Sequence, residues 1–123
     1  MKLTSLRPIL WTEDMQGTID FYTSVLGLEC NERNDDWGWA SLSSDEEVGL
    51  MVAKPNGQTP YGEIGFTGTF YFNTDDVEGM WLKVKDKANV CYGIETFEWG
   101  MREFAVYDNN GYVLQFGQEV DHK

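Results

Sequence analysis

The stretch DDWGW at residues 35–39 recurs further along the chain as FEWGM at residues 97–101. Trp37 and Trp99 stand 62 residues apart, and the glycines that follow them keep the same distance. An acid–Trp–Gly unit written twice at a fixed offset, once in each half of a 123-residue chain, indicates that one structural unit is repeated.

The pattern around these stretches predicts the order β–α–β–β–β twice. Apolar alternation predicts the strands. Asp14 is placed to begin the first helix, and either Asp75 or Asp76 to begin the second, where Asp76 lies 62 residues after Asp14. The first module covers about residues 4–53 and the second about 69–118, and the Gly- and Pro-rich segment 54–68 is predicted to connect them. We expect a single α+β domain over the whole chain, in which the two modules form a curved, mostly antiparallel sheet.

The composition limits the possible partners. The chain has 21 acidic residues against nine Lys and Arg, which gives a formal net charge of −12. A field of this sign repels phosphate backbones and anionic lipids, so we expect neither nucleic-acid nor membrane binding. It attracts cations. Five Trp, six Tyr and seven Phe supply more aromatic surface than a core of this size needs, which favours an aromatic binding surface.

Cysteine and histidine usage predicts a cytoplasmic protein with free thiols. There are two cysteines, Cys30 and Cys91, with neither an apolar leader nor an apolar run long enough to span a bilayer. The single histidine, His122, lies in the polar C-terminal segment. Two cysteines with this histidine make a poor zinc-binding set.

Two further motifs, FYTSVLGL at 21–28 and FAVYDNNGYVLQF at 104–116, point to a known family. With the duplicated order of elements, they resemble the glyoxalase/bleomycin-resistance/extradiol-dioxygenase superfamily, also called the vicinal oxygen chelate superfamily. The resemblance covers nearly the whole chain. It implies a homodimer, because each curved sheet is open and the partner completes the ligand cavity.

Most enzymes of that superfamily hold a divalent metal inside the sheet, and the resemblance puts Arg7, Thr69 and Gln115 at the ligand positions. An arginine cannot ligate, a threonine is a weak neutral ligand, and one glutamine does not suffice for a divalent cation. We therefore expect no metal, no cofactor and no enzymatic activity. The alternative is a metal-dependent lyase, isomerase or dioxygenase with non-standard ligands. A third hypothesis is a structural or regulatory module with a filled cavity and no accessible tryptophan.

The closer resemblance is to the metal-free bleomycin-resistance proteins, which bind the drug without altering it. KLTSLRPIL at 2–10 is similar to their N-terminal segment, where Pro8 matches the proline of an arm exchanged between subunits. WGMREFAVYDNNG at 99–111 is similar to their second Trp–Gly stretch. The resemblance implies sequestration of a planar, cationic, bleomycin-like compound in a groove between subunits.

Most of the predicted ligand-binding residues are aromatic and acidic side chains in or beside the two Trp–Gly units; the others are Met101 with its pliable thioether, Tyr61 in the connecting segment and Tyr71 in the fifth strand. Flat heteroaromatic rings would stack on Trp37 and Trp99, and the neighbouring acids would attract a cationic tail. The opposing interpretation buries both tryptophans in the core at a seam between the modules. The full candidate set is Trp37, Trp39, Tyr61, Tyr71, Trp99, Met101, Asp35, Asp36 and Glu98.

Overall fold

The chain folds into two units that have the same architecture, Met1–Ile64 and Gly65–Lys123. Within its described residues, each unit contains one α-helix and one open four-stranded sheet, so the predicted α+β class with a duplicated β–α–β–β–β order is confirmed. The computed structural model describes residues 1–2, 5–45, 47–55, 63–66 and 68–120.

In the first unit, the sheet has the strand order β1-β4-β3-β2. Its elements are β1 (Ile9–Trp11), α1 (Met15–Asp20), a π-helical turn (Phe21–Val25), β2 (Glu29–Asn34), β3 (Trp39–Ser43) and β4 (Gly49–Ala53). The outer pair β1 and β4 is parallel, and the other two pairs are antiparallel. The helical segment ends at Gly27, whose φ of 84° is the left-handed conformation expected of a helix-terminating glycine.

The second unit repeats this topology with the order β5-β8-β7-β6. Its elements are β5 (Thr69–Asn73), α2 (Val77–Val84), β6 (Asn89–Thr96), β7 (Met101–Tyr107) and β8 (Val113–Glu119). Again the outer pair, β5 with β8, is parallel and the remaining pairs are antiparallel. The mostly antiparallel pairing therefore holds in both sheets.

Both helices begin at the same Thr-x-Asp-x-x-Gly sequence. In α1 the Thr12 hydroxyl accepts a hydrogen bond from the Asp14 backbone N–H at 3.0 Å, and the Asp14 carboxylate accepts one from the Gly17 N–H at 3.0 Å. The same bonds recur 62 residues later at Thr74, Asp76 and Gly79. A Cβ on either glycine would overlap the capping carboxylate in its present rotamer, so a larger residue there would require the carboxylate to move.

One face of each sheet packs against its helix. In the second unit a continuous series of four aromatic rings forms this core. The ring centroids of Phe72 and Phe116 are 5.2 Å apart, as are those of Phe116 and Phe104. The centroid of Phe104 lies 5.1 Å from that of Trp81 on α2. Because side chains alternate along a strand, the intervening residues of β5, β7 and β8 lie on the opposite face. That face carries the side chains of the site described below.

Two further observations concern the cysteines and the helices. Cys30 and Cys91 are both free and exposed. Within the described part of the chain, neither α-helix is long and apolar enough to cross a membrane.

The capping interaction predicts the effect of removing Asp76. Replacing Asp76 by Ala deletes the acceptor for the Gly79 N–H and should lower the free energy of unfolding by about 1 kcal/mol, measured by urea denaturation. Asp75→Ala is the matched control, since it removes the same charge from an exposed neighbour, and should change stability by less than about 0.5 kcal/mol. Equal losses in the two variants would contradict the assignment of the cap to Asp76.

Candidate functional site

The tryptophans of the two Trp–Gly units are exposed. Trp37 is 78% exposed and Trp99 is 62% exposed. Both lie in the turns that precede β3 and β7, and not at the strand starts as the sequence suggested. The core interpretation of these residues, and the filled-cavity hypothesis with no accessible tryptophan, therefore do not describe this fold.

The glycines of these units are required by the turns. Gly38 has a φ of 66° and Gly100 a φ of 93°, which side chains with a Cβ rarely adopt. Each glycine carbonyl accepts a hydrogen bond from the residue after the last strand of its sheet, Lys54 N–H at 2.8 Å and Val120 N–H at 3.0 Å. The turn is thus fixed to the sheet at its glycine, and the preceding tryptophan is held outside the core.

Beside Trp37 lies a pocket of about 460 Å³, here called the first-unit pocket. Trp39 forms part of its wall, and its indole N–H donates to the Met51 sulfur at 3.3 Å. One acidic and one basic residue, Glu32 and Lys54, complete a lining that is otherwise apolar. The principal lining residues are Ile9, Trp11, Glu32, Trp37, Trp39 and Lys54.

Beside Trp99 lies a pocket of about 420 Å³, here called the second-unit pocket. The Trp99 and Phe97 rings are stacked with centroids 4.6 Å apart and planes only 8° from parallel. Tyr92 meets Phe97 edge to face at 5.9 Å. The lining residues are Tyr92, Glu95, Phe97, Trp99, Glu103 and Gln115.

A chain of hydrogen bonds surrounds the buried Glu103, which is 5% exposed. The Tyr71 hydroxyl donates to one carboxylate oxygen at 2.5 Å, and the Tyr92 hydroxyl donates to the other at 3.1 Å. Tyr92 in turn accepts from the Gln115 amide N–H at 2.8 Å, while the Gln115 carbonyl accepts from the Thr69 hydroxyl at 2.5 Å. Burial of this carboxylate is thereby compensated by two phenolic donors.

The surroundings of Glu103 raise the pKa of both phenols. Burial of the hydroxyl raises the pKa of Tyr71 most, followed by its hydrogen bond to Glu103. Although Tyr71 as a whole is 40% exposed, its hydroxyl lies directly over Gly117, where a Cβ would collide with it. Burial likewise raises the pKa of Tyr92, although the hydrogen bond from Gln115 lowers it. Both phenols therefore remain protonated and donate to Glu103.

The positions at which the resemblance implies metal ligands do not fit a divalent cation. Gln115 has both ends of its amide engaged, and Thr69 donates its hydroxyl to Gln115. Arg7 is exposed in the first unit, in a polar pocket with Ser41 and Ser43, and brings a positive charge. Within the described ranges, no three His, Cys, Asp or Glu side chains are grouped so that they could hold a metal ion.

The acids predicted to meet a cationic tail occupy different surroundings from those expected. Asp35 forms an ion pair with Arg33 at 2.6 Å, and its side chain remains 71% exposed. Asp36 and Glu98 are exposed and are not among the described residues that line the two pockets. The acids that do line them are Glu32, Glu95 and Glu103.

The remaining candidates are placed as follows. Met101 is half-buried at the start of β7 and is not among the described lining residues of either pocket. Pro8 directly precedes β1, and its carbonyl accepts from the Met51 N–H at 2.9 Å. Tyr61 lies outside the described residues.

Sequence reasoning missed Tyr92 and Glu95 because a bulge brings them together. Three positions apart, they belong on opposite faces of a regular strand. In β6, however, Tyr92 pairs with Ala105 and Glu95 pairs with Glu103, so the register shifts by one residue between them. Gly93 inside the strand was the available signal, since an interior glycine often marks a bulge.

These features define the class of protein. Duplicated β–α–β–β–β units with open four-stranded sheets form the vicinal oxygen chelate fold. A family model described as the glyoxalase/bleomycin resistance protein/dioxygenase superfamily matches residues 4–116, and the chain belongs to this superfamily.

Solved structures share the fold over nearly their full length. A protein of unknown function from Agrobacterium tumefaciens str. C58 has a TM-score of 0.79 at 20% identity, covering 98% of this chain and 97% of that one. TnmS3, described as an antibiotic binding protein from Streptomyces sp. CB03234, has a TM-score of 0.77 at 18% identity, covering 98% and 100%. TioX from Micromonospora sp. ML1 has a TM-score of 0.76 at 17% identity, covering 96% and 100%. No curated protein matches the chain in sequence.

The raised pKa of Tyr71 and Tyr92 predicts how stability depends on pH. The unfolded chain releases its tyrosine protons near pH 10, whereas the folded protein keeps these two to higher pH. Their contribution to the free energy of unfolding is therefore complete below about pH 10 and is lost as the pH rises through the folded-state values. Urea denaturation across this alkaline range should show stability decreasing.

The same interaction can be tested by tyrosinate absorbance. Glu103→Gln removes the negative charge that the hydroxyls of Tyr71 and Tyr92 face. The last part of the titration, in which these two tyrosines lose their protons, should therefore shift to lower pH. Asp86→Asn removes an exposed carboxylate in the turn after α2 and should leave the curve unchanged. If the two variants titrate alike, the Glu103 carboxylate does not raise the pKa of Tyr71 and Tyr92.

Proposed function

We propose that this protein binds and sequesters a planar, cationic, bleomycin-like small molecule without changing it chemically. The observation that carries this proposal is that each of the two exposed tryptophans, Trp37 and Trp99, forms the wall of a pocket. An exposed aromatic ring beside a concave surface can sandwich a flat ligand, whereas a ring on a flat surface cannot enclose one.

The energetics are favourable for a flat cation. Stacking on an aromatic side chain is worth about 1–3 kcal/mol per ring, and each pocket offers one exposed indole face. Volumes of about 460 and 420 Å³ fall in the range of ordinary small-molecule sites. The net charge of −12 attracts a cation over a long range, and Asp36 and Glu98, exposed beside the tryptophans, add to that field.

Binding without chemistry is supported by the donor set. The superfamily includes both enzymes and binding proteins, and the residues at the implied metal positions here are an arginine, a threonine and a glutamine with both amide ends engaged. One structure with the same fold, TnmS3, is described as an antibiotic binding protein. We assign no cofactor to the protein, and we place it in the cytoplasm, where its two free, exposed cysteines would stay reduced.

The ligand should quench tryptophan fluorescence through specific residues. Trp37→Leu and Trp99→Leu should each weaken bleomycin binding by about fivefold to a hundredfold, the loss of one stacked ring. Trp81→Leu is the matched control, because Trp81 packs against Phe104 on the helix side of the sheet. Fluorescence titration and calorimetry measure the affinities, and circular dichroism confirms that the variants fold.

Two results would overturn this function. One is stoichiometric divalent metal in the purified protein, together with an activity that is lost on chelation. The other is an unchanged affinity in Trp37→Leu and Trp99→Leu, which would place the ligand elsewhere.

We also propose that the protein works as a homodimer in which the segment around Pro8 contacts the partner subunit. Leu6, two residues before Pro8, is 92% exposed, an unusual position for a large apolar side chain. A partner covering this segment would bury it and would complete the ligand groove.

Sedimentation should give twice the chain mass of 14.1 kDa. Leu6→Glu should shift the equilibrium toward the monomer, because a charge would replace the apolar contact. Leu82→Glu, which changes a 63% exposed leucine on α2, should leave the dimer intact. A monomeric wild-type protein, or equal dissociation in both variants, would contradict the proposal that the segment around Pro8 contacts the partner subunit.

A further inference from the structure

The two sheets have equivalent backbones but carry different side chains at equivalent positions. The Thr12 N–H donates to the Ala53 carbonyl, and the Thr74 N–H donates to the Gly117 carbonyl in the same way, each at 2.9 Å. Ala53 and Gly117 are therefore equivalent. The strand residue paired with Ala53 is Trp39, and the one paired with Gly117 is Glu103.

This register corrects the correspondence that the sequence offset suggests. At an offset of 62, Met101 coincides with Trp39. The β3–β4 pairing ends at Trp39 and Ala53, whereas the β7–β8 pairing continues for two residues beyond the equivalent pair, as far as Met101 and Glu119. Glu103 thus takes the place of Trp39. By the same register Tyr71 takes the place of Ile9, and Gln115 that of Met51. An apolar patch in the first sheet is replaced by a polar, hydrogen-bonded one in the second.

The second-unit pocket carries negative charge without a neutralising partner among its described lining residues. Glu95 lies exposed at the pocket, and Glu103 is 5% exposed within it. Arg102, the nearest cation in sequence, points to the other face of β7, where it pairs with Glu78 at 2.5 Å and donates to Thr96 at 2.9 Å. A charge in such a partly desolvated site acts more strongly on a bound ion than one in water.

The aromatic walls of this pocket suit the same kind of ligand. The Phe97 and Trp99 rings are nearly parallel, and Tyr92 stands edge-on to Phe97. Aromatic faces attract cations, and they attract a flat cation by stacking as well. Each Glu103 oxygen accepts one phenolic hydrogen bond, which leaves each with a free acceptor site.

The first-unit pocket has a different charge balance. Its one acidic lining residue, Glu32, is accompanied by Lys54, whose aliphatic chain lies against Gly38 beside Trp37. The two charges offset each other, and the position equivalent to Glu103 is occupied by the indole of Trp39. Among the described lining residues, this pocket provides stacking surface without a net charge.

We infer, resting on the proposed function, that the two pockets accept ligands of different charge: the second-unit pocket binds a cationic aromatic group selected by Glu103, and the first-unit pocket binds an uncharged aromatic ring. Duplication has thus given one chain two non-equivalent subsites.

The test uses two probes with one shape, N-methylacridinium, which is always cationic, and acridine, at a pH where acridine is uncharged. Trp37→Leu retains the second-unit pocket, and Trp99→Leu retains the first. In Trp37→Leu, calorimetry should show N-methylacridinium binding at least tenfold more tightly than acridine. In Trp99→Leu, the two affinities should agree within about threefold.

Adding Glu103→Gln to Trp37→Leu should remove most of the preference, lowering the affinity for the cation several-fold and that for acridine less than twofold, while Glu95 accounts for the remainder. Glu95→Gln, at the exposed side of the pocket, should reduce the preference in part. Because Glu95 is exposed, this substitution tests the charge without disturbing the buried hydrogen bonds of Glu103. Asp86→Asn is the control and should leave the ratio of affinities unchanged.

Equal affinities of the two probes for Trp37→Leu would overturn the inference, as would a preference that survives both Glu103→Gln and Glu95→Gln. Bleomycin binding lost on removal of Trp37 or Trp99 would still support the proposed function in that case. If neither probe nor bleomycin binds the wild-type protein, the proposed function fails together with the inference.

Discussion

The hydrogen bond from the end of each sheet to the carbonyl of the Trp–Gly turn is the constraint on which the site depends. Lys54 and Val120 donate it, and Gly38 and Gly100 accept it with a backbone that bends into positive φ. This bond ties an otherwise loose turn to a rigid sheet. The tryptophan before the glycine is therefore held outside the core, at the wall of a pocket. A side chain that is usually buried is thus exposed where a ligand can contact it.

The two units differ in chemistry at a few equivalent positions on the sheet face that the helix leaves uncovered, and some of these positions line the pockets. The first unit fills them with Ile9, Trp39 and Met51, and the second places Tyr71, Glu103 and Gln115 there. A buried carboxylate is costly without donors, and two tyrosine hydroxyls supply them. Gly117 makes room for the Tyr71 hydroxyl, so the polar cluster depends on a glycine inside a central strand.

The superfamily to which the chain belongs is named for both enzymes and a resistance protein. Where a metal-binding member needs imidazole or carboxylate ligands, this chain has Thr69 hydrogen-bonded to Gln115 and an exposed Arg7. Its carboxylates are used instead in ion pairs and phenolic hydrogen bonds, such as those of Asp35 and Glu103. In the proposed function, a site of this kind holds a cation, and its aromatic walls enclose a flat one.

The sequence by itself determined the duplicated β–α–β–β–β order, the first helix start at Asp14 and the special character of the two Trp–Gly units, because each of these is encoded within a few neighbouring residues. For the second helix it allowed Asp75 or Asp76, and the hydrogen bond from the Gly79 N–H identifies Asp76 as the cap. Only the tertiary structure decided which acids line the pockets. Asp35, a predicted ligand-binding residue, pairs with Arg33 at the surface, while Glu95 and Glu103 come together through a bulge and a two-residue change in register. Register is set by hydrogen bonds between strands distant in the chain, so the face on which a side chain lies cannot be read from local spacing alone.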